Sequence, residues 1–407
     1  MRVKQLIVTT PQGESGVLDK ESRFVFNYSG GDRAREVSLT MPIRAESYAS
    51  GALLTPFAMN KPEGWLYRQI VERMAKHEQV DDMRLLAIVG SNQIGRLSYT
   101  LPGESRTPTR GQIGLHALLK REPTKELFDF LVDVYFESGI SGVQPKVLMP
   151  DADKLPDSKA TVIQPDLIVK SGGGEFPHLT ENEFLCMDAA RRAGIAVPKF
   201  WLSDDGGLFV MERFDLSAGQ RLGFEDMSVL MDKAPDPQGH YKYQGSYENI
   251  VRVIRAYCRG GEGLASSQRF FEYLALCVMV RNGDAHLKNF GLLYEHPTAT
   301  NSPTLAPLYD VVTTTVYAYR DYRSERTLVD RTMALELNKD KRYPTRQQLL
   351  KFGADVCHVR DPQQVIERIA TAMSETLAAN SERIDREFLR QLTSEWDGGR
   401  LSVALKS

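Results

Sequence analysis

Three side chains in the second half of the chain have the types and spacing of a phosphoryl-transfer centre. In Val280-Arg-Asn-Gly-Asp-Ala-His-Leu-Lys-Asn-Phe290, Asp284 and Asn289 stand five residues apart, and Pro307-Leu-Tyr-Asp-Val311 supplies a second aspartate, Asp310. In kinase chemistry one aspartate sits beside the attacking hydroxyl, while an asparagine and a second aspartate hold Mg²⁺ against the nucleotide phosphates. Mg²⁺ takes oxygen ligands, a few from protein and the rest from phosphate and water. Asp284 is therefore the expected base, with Asn289 and Asp310 as metal ligands. Between them, Lys288 is placed to neutralise charge on the phosphoryl group, and His286 to brace the loop through side-chain hydrogen bonds. The same letters also read as a polar Asn-Gly-Asp turn after an apolar helix; Tyr309-Asp310 downstream favours the catalytic reading.

A nucleotide needs further groups. Lys170 ends the apolar strand Asp166-Leu-Ile-Val-Lys170 and is expected to hold phosphate oxygens, with Glu183 on the next helix as its partner. Glu181 is an alternative partner two residues away. Upstream, Ser138-Gly-Ile-Ser-Gly-Val-Gln-Pro-Lys146 reads as a phosphate-covering loop. Gly139 and Gly142 let backbone N–H groups approach phosphate oxygens, although the loop is not a Walker sequence. Ser138 and Ser141 lie within reach of a γ-phosphate and are candidate acceptors. Met211-Glu-Arg-Phe-Asp215 ends the last strand of this region at the hinge position, where Met211 and Phe214 would pack near an adenine ring. The polar stretch 232–246 reads as a solvated loop, with a substrate-facing role as the alternative.

The elements that must position these groups fall into three segments. Residues 1–112 read as a small β-rich subdomain, with strands at 3–9, 24–28, 85–89 and 95–99, a helix at 66–76, and a linker at 102–111. Residues 113–215 carry a helix at 126–137, the Gly-rich loop, strands around Lys170 and at 208–214, and a helix at 183–193. Residues 216–407 are mainly helical, with apolar residues three and four apart at 247–257, 266–281, 345–353, 362–378 and 382–392. The fold class expected is α+β, a two-lobed kinase-like arrangement behind a β-rich N-terminal subdomain. At 407 residues, 42% hydrophobic, 26% charged and net −2, the composition is globular and argues against a chain that coats nucleic acid by itself. Four scattered cysteines form no CxxC pair, which fits reduced thiols. Without a long apolar segment the expectation is a cytoplasmic protein with no membrane association.

The run SGVQPK, the strand LIVK, the pair Asn182-Glu183, the strand VMERFD, Glu225-Asp-Met227, NGDAHLKNF and PLYD together resemble the HipA family of serine/threonine kinases. Leu53-Leu-Thr-Pro-Phe57, Pro62-Glu-Gly64 and the stretch 82–90 resemble that family's N-terminal subdomain. The resemblance implies an ATP- and Mg²⁺-dependent protein kinase that acts as a growth-arresting toxin. It implies Asp284 as base, Asn289 and Asp310 as metal ligands, Lys170 as the phosphate-holding lysine, and Glu212 and Phe214 at the adenine pocket. It further implies a protein substrate such as an aminoacyl-tRNA synthetase, and a helix-turn-helix antitoxin of HipB type through which DNA is contacted only indirectly. Relatives silence themselves by autophosphorylation in the Gly-rich loop. In one family pattern the acceptor serine falls where this chain has Gly139, whereas Ser141 matches the second serine of a Ser-x-Ser version and Ser138 stands one residue early. Two other functions share the central motif: a small-molecule kinase, and a catalytically silent relative serving as binding partner or co-repressor.

Overall fold

The computed structural model describes residues 3–74, 80–90, 93–104, 115–120, 127, 160–163, 166–172, 176–236, 239–321 and 326–403. The Gly-rich loop with Ser138, Gly139, Ser141 and Gly142, the expected helix at 126–137 apart from Leu127, and most of the expected linker lie outside these residues. The chain divides into two compact units, one of Met1–Pro177, Phe200–Pro237 and Leu293–Asn301, the other of His178–Lys199, Gln238–Leu292 and Ser302–Ser407.

The first unit is built on two antiparallel sheets. Strands β1 (Gln5–Thr10), β2 (Gly13–Lys20), β3 (Phe24–Tyr28), β4 (Tyr48–Ser50) and β5 (Ser98–Thr100) pair in the order β4-β3-β2-β1-β5. Alternate residues Leu6, Val8, Leu18, Phe24 and Phe26 are buried, as one covered face requires. They share a core with Phe57, with Ile70 of helix α1 (Gly64–Met74), and with helix α2 (Asp82–Val89).

Helix α2 corrects the expectation of a strand at 85–89. Every residue from Met83 to Val89 is buried, so the apolar run carries no face to separate helix from strand. The deciding signal is Asp81, whose carboxylate caps the helix by accepting from the Arg84 N–H at 2.9 Å. The expected strand at 95–99 also shortens and shifts, to β5.

The second sheet comprises β6 (Ala160–Ile163), β7 (Leu167–Ser171), β8 (Phe200–Leu202) and β9 (Leu208–Glu212) in the order β6-β7-β9-β8. Leu167, Val169, Leu208 and Val210 join the same core as the first sheet.

The second unit is mainly helical. Helix α3 (Leu179–Arg192) packs on α6 (Pro362–Ala379), and both α6 and α7 (Arg386–Val403) pack on α5 (Gly261–Met279), which in turn lies against α4 (Tyr247–Tyr257). The last helix starts later and runs further than the expected 382–392, to Val403, and passes through Gly398 and Gly399. A Cβ at Gly399 would sit 1.9 Å from the carbonyl oxygen of Met279, so glycine there permits close approach of two backbones rather than ending a helix. Among the described residues no helix is long and apolar enough to cross a membrane.

Candidate active site

Helix α5 delivers the chain to the Asp284 loop, and the turn between them is fastened at nearly every residue. Arg281 takes a left-handed backbone conformation (φ 58°). The Asn282 N–H donates to the Cys277 carbonyl at 2.8 Å, and its side-chain oxygen accepts from the Asp284 N–H at 3.0 Å. Gly283 has no room for a side chain, since a Cβ would lie 2.6 Å from the Thr332 carbonyl oxygen. Its N–H donates to Thr314 Oγ1 at 2.8 Å, while the Thr314 N–H and hydroxyl both donate to the Arg281 carbonyl at 3.1 Å.

Beyond Asp284 the loop closes on itself. The His286 N–H lies 2.8 Å from the Asp284 carbonyl oxygen and 3.0 Å from Asn289 Oδ1, and the Asn289 N–H returns to the His286 carbonyl at 3.0 Å. Asn289 Nδ2 then donates to Asp310 Oδ2 at 2.9 Å. The Asn289 amide thus lies beside the Asp310 carboxylate, its nitrogen facing Asp310 and its oxygen turned to the His286 N–H; an amide oxygen and a carboxylate are donor types that a hard cation takes. Asp310 itself is left-handed (φ 56°), a conformation costing an L-residue about 1 kcal/mol and often concentrated at functional sites. Tyr309 donates through its hydroxyl to the Lys288 carbonyl at 2.8 Å, a second tie between the two segments.

Asp284 is exposed, and its Oδ1 accepts from the Tyr243 hydroxyl at 2.8 Å. Four residues on, the Tyr247 hydroxyl donates to the Ala285 carbonyl at 3.0 Å. Burial, and then the charge of Asp284, raise the Tyr243 pKa far above the ordinary phenol value, so the hydroxyl stays protonated. Burial also pushes His286 down to about 4, leaving a neutral imidazole at pH 7. Its Nδ1 is buried without a partner among the described residues, so the tie that braces the loop is its backbone N–H rather than that ring nitrogen.

The Asp310 segment is anchored in turn to helix α3. The Asn182 side chain accepts from the Thr313 N–H at 2.8 Å and donates to the Thr313 carbonyl at 3.0 Å, while Trp396 Nε1 donates to Thr313 Oγ1 at 2.8 Å. Glu183, next along α3, is buried. Glu181 is joined to His178 and is partly exposed, which separates the two carboxylates by environment.

The remaining sequence-chosen residues belong to the first unit. Lys170 is buried in β7, with its ammonium 5.9 Å from the ring centroid of Phe209, its cross-strand neighbour. Glu212 ends β9 half-buried, and Phe214 meets Phe224 edge to face at 5.3 Å. Arg213 between them turns inward to a buried ion pair with Asp215 at 2.6 Å, and Asp215 also accepts from the Gly95 N–H at 2.7 Å. Asp284, His286, Lys288, Asn289 and Asp310 are therefore gathered in the second unit, with Glu183 on α3 of the same unit.

Sequence reasoning missed Tyr243, Tyr247 and the Thr313–Thr314 pair. The available signals were two tyrosines at four-residue spacing, and an asparagine, Asn182, just before the apolar run Phe184-Leu-Cys-Met187.

Residues 6–100 match the family model described as the HipA N-terminal domain, and residues 138–380 that described as the HipA-like C-terminal domain. A Haemophilus influenzae protein named "Putative kinase" is 30% identical over 192 residues, 44% of this chain and 53% of its own length, so the match spans about half of that relative. The Sinorhizobium fredii protein "Putative kinase Y4mE" is 24% identical over 323 residues, 75% of this chain and 74% of its own. HipA of Shewanella oneidensis, solved as a toxin–antitoxin complex with HipB and its operator DNA, aligns with a TM-score of 0.67 at 16% identity, covering 98% of this chain and 96% of that one. That likeness establishes a shared fold, and the two domain matches establish the family: the chain belongs to the HipA family.

Proposed function

We propose that this protein is an ATP- and Mg²⁺-dependent serine/threonine-protein kinase, the toxin of a toxin–antitoxin pair. The observation that carries the reading is the fastened loop that presents Asp284 to solvent while joining Asn289 to Asp310 at 2.9 Å. In this reading Asp284 accepts the proton of the attacking hydroxyl. Asn289 and Asp310 hold Mg²⁺ through side-chain oxygens; when bound, the ion offsets negative charge on the nucleotide phosphates. Lys288 supplies positive charge to the transferring group, and the neutral His286 serves the loop's shape. Lys170 takes phosphate oxygens, with Glu183 as its carboxylate partner. Glu212 and Phe214 border the adenine, and Gly139 and Gly142 cover the phosphates.

The proposed acceptor is a protein hydroxyl, on a translation component such as an aminoacyl-tRNA synthetase, with Ser141 or Ser138 as acceptor in self-modification. The proposed partner is a helix-turn-helix antitoxin of HipB type that carries the contact with DNA, and the proposed location is the cytoplasm.

The test is intact and tandem mass spectrometry after incubation with ATP and Mg²⁺, alone and with candidate synthetases. Wild type should gain phosphate and Asp284→Ala should not. Phosphate gain by Asp284→Ala equal to that of wild type would remove Asp284 from its role.

A further inference from the structure

The stretch around Tyr243 reads from sequence as a solvated loop, yet it delivers two hydroxyls to the Asp284 loop. We propose that Tyr243 is a positioning residue for the catalytic base: its hydroxyl holds one oxygen of Asp284 so that the other faces the acceptor hydroxyl. The inference rests on the reading of Asp284 as the base.

The geometry supplies the argument. A carboxylate has two oxygens, and the Tyr243 hydroxyl takes Oδ1 at 2.8 Å. Among the described residues no hydrogen bond reaches Oδ2. A base oriented by a third group is a recurring catalytic arrangement, because a carboxylate left to rotate spends only part of its time aimed at the proton it must take.

Tyr243 is itself held. It closes the short helical turn His240–Tyr243, its ring meets the His286 ring edge to face at 5.2 Å, and the Lys242 ammonium lies 5.2 Å from its centroid. Three residues later Ser246 caps α4 by accepting from the Asn249 N–H at 3.3 Å, and Gly245 accepts from the Glu336 N–H at 3.2 Å. Tyr247, in the first turn of α4, is fully buried and bonds the Ala285 carbonyl. The two tyrosines therefore grip consecutive residues of the loop, one by side chain and one by backbone. Because the Tyr243 phenol remains protonated, it acts only as a donor to Asp284 and does not compete with it as a base.

The test uses the full chain with ATP, Mg²⁺ and water as acceptor, so that no protein substrate is needed. ATP hydrolysis is followed for wild type, Tyr243→Phe and Asp284→Asn, with unfolding midpoints measured alongside. Phenylalanine keeps the ring against His286 and removes only the hydroxyl. Loss of one charge-assisted hydrogen bond should lower kcat about tenfold while leaving the KM for ATP and the unfolding midpoint unchanged.

If wild type turns over no faster than Asp284→Asn, the base assignment itself fails and the proposal goes with it. If wild type exceeds Asp284→Asn but Tyr243→Phe matches wild type, the positioning role alone is overturned. A faster Tyr243→Phe enzyme would make the phenol a competitor for the base, and phosphate mapped to Tyr243 would make it an acceptor. Either result overturns positioning, as does a loss of rate that comes with a raised KM or a lowered midpoint.

Discussion

The Asn182–Thr313 contact permits the most quantitative test of how the site is held. Asn182 and Thr313 are both fully buried, and the amide side chain satisfies the Thr313 N–H at 2.8 Å and its carbonyl at 3.0 Å. Asn182→Leu keeps much of the volume and removes both bonds, together with the amide's 3.2 Å bond to the Tyr317 hydroxyl, leaving two buried backbone groups without those partners. Each such group costs about 1–3 kcal/mol, so the expected loss is about 3 kcal/mol, reduced if water enters the gap. Trp396 gives a local signal, because its indole N–H bonds the hydroxyl of the same threonine. The chain has three tryptophans, so Trp65→Phe and Trp201→Phe leave Trp396 as sole indole reporter. Urea unfolding followed by its fluorescence should show a fall in unfolding free energy of about 3 kcal/mol with little change in slope. Thr313 lies three residues after Asp310, so the same variant should also weaken Mg²⁺–ATP binding. A loss below about 0.5 kcal/mol, the scale of ordinary surface substitutions, would refute the claim that this amide anchors the Asp310 segment to α3.

Two further outcomes follow from the loop itself. Gly283→Ala would force a Cβ to within 2.6 Å of the Thr332 carbonyl oxygen, so the backbone beside Asp284 must move; phosphate transfer should fall about a hundredfold, and a variant within threefold of wild type would contradict the fit. His286 titrates near 4 folded against an ordinary 6.5, so the unfolded chain binds the extra proton first as pH falls. Stability from the neutral ring is complete above pH 6.5 and is lost as pH falls from 6.5 towards 4, at about 1.4 kcal/mol per pH unit. Between pH 7.5 and pH 5, wild type should therefore lose about 2 kcal/mol more than His286→Phe in urea unfolding, and equal losses would show that the ring is not buried neutral.

What the sequence made legible was local. Asp284, Asn289 and Asp310 fall in two short stretches, and their types and spacing carry the chemistry without any distant contact. The helix at Tyr247–Tyr257 was readable to the residue, since its apolar positions recur every three or four and Ser246 caps it. Two elements were obscured by packing. The apolar run of α2 is buried on all sides, so periodicity could not tell helix from strand, and only the Asp81 cap could. In α7 the expected end at 392 falls short of Val403, and the pair Gly398-Gly399 inside the helix is explained only by the Met279 carbonyl that presses against position 399, which sequence does not reveal.

The supporting groups were hidden for a related reason. Tyr243 meets Asp284 across 41 positions, and Asn182 meets Thr313 across 131. A chemical group that acts on a ligand has a type dictated by that ligand, whereas a group that holds it in place has a type dictated by whatever backbone lies opposite. Asn182 answers one N–H and one carbonyl of Thr313, with the Tyr317 hydroxyl as a further acceptor, a set that an amide matches and a carboxylate does not. Thr314 bridges the Arg281 carbonyl and the Gly283 N–H, which a hydroxyl serves as donor and acceptor together. The loss expected for Asn182→Leu is thus a property of the opposing backbone, and it should be recovered only by side chains that offer the same donor and acceptor. Asn182→Asp tests that distinction: it keeps an acceptor for the Thr313 N–H but sets a carboxylate oxygen against the Thr313 carbonyl. It should therefore destabilise at least as much as leucine, and a milder aspartate would show that the N–H bond alone carries the anchor.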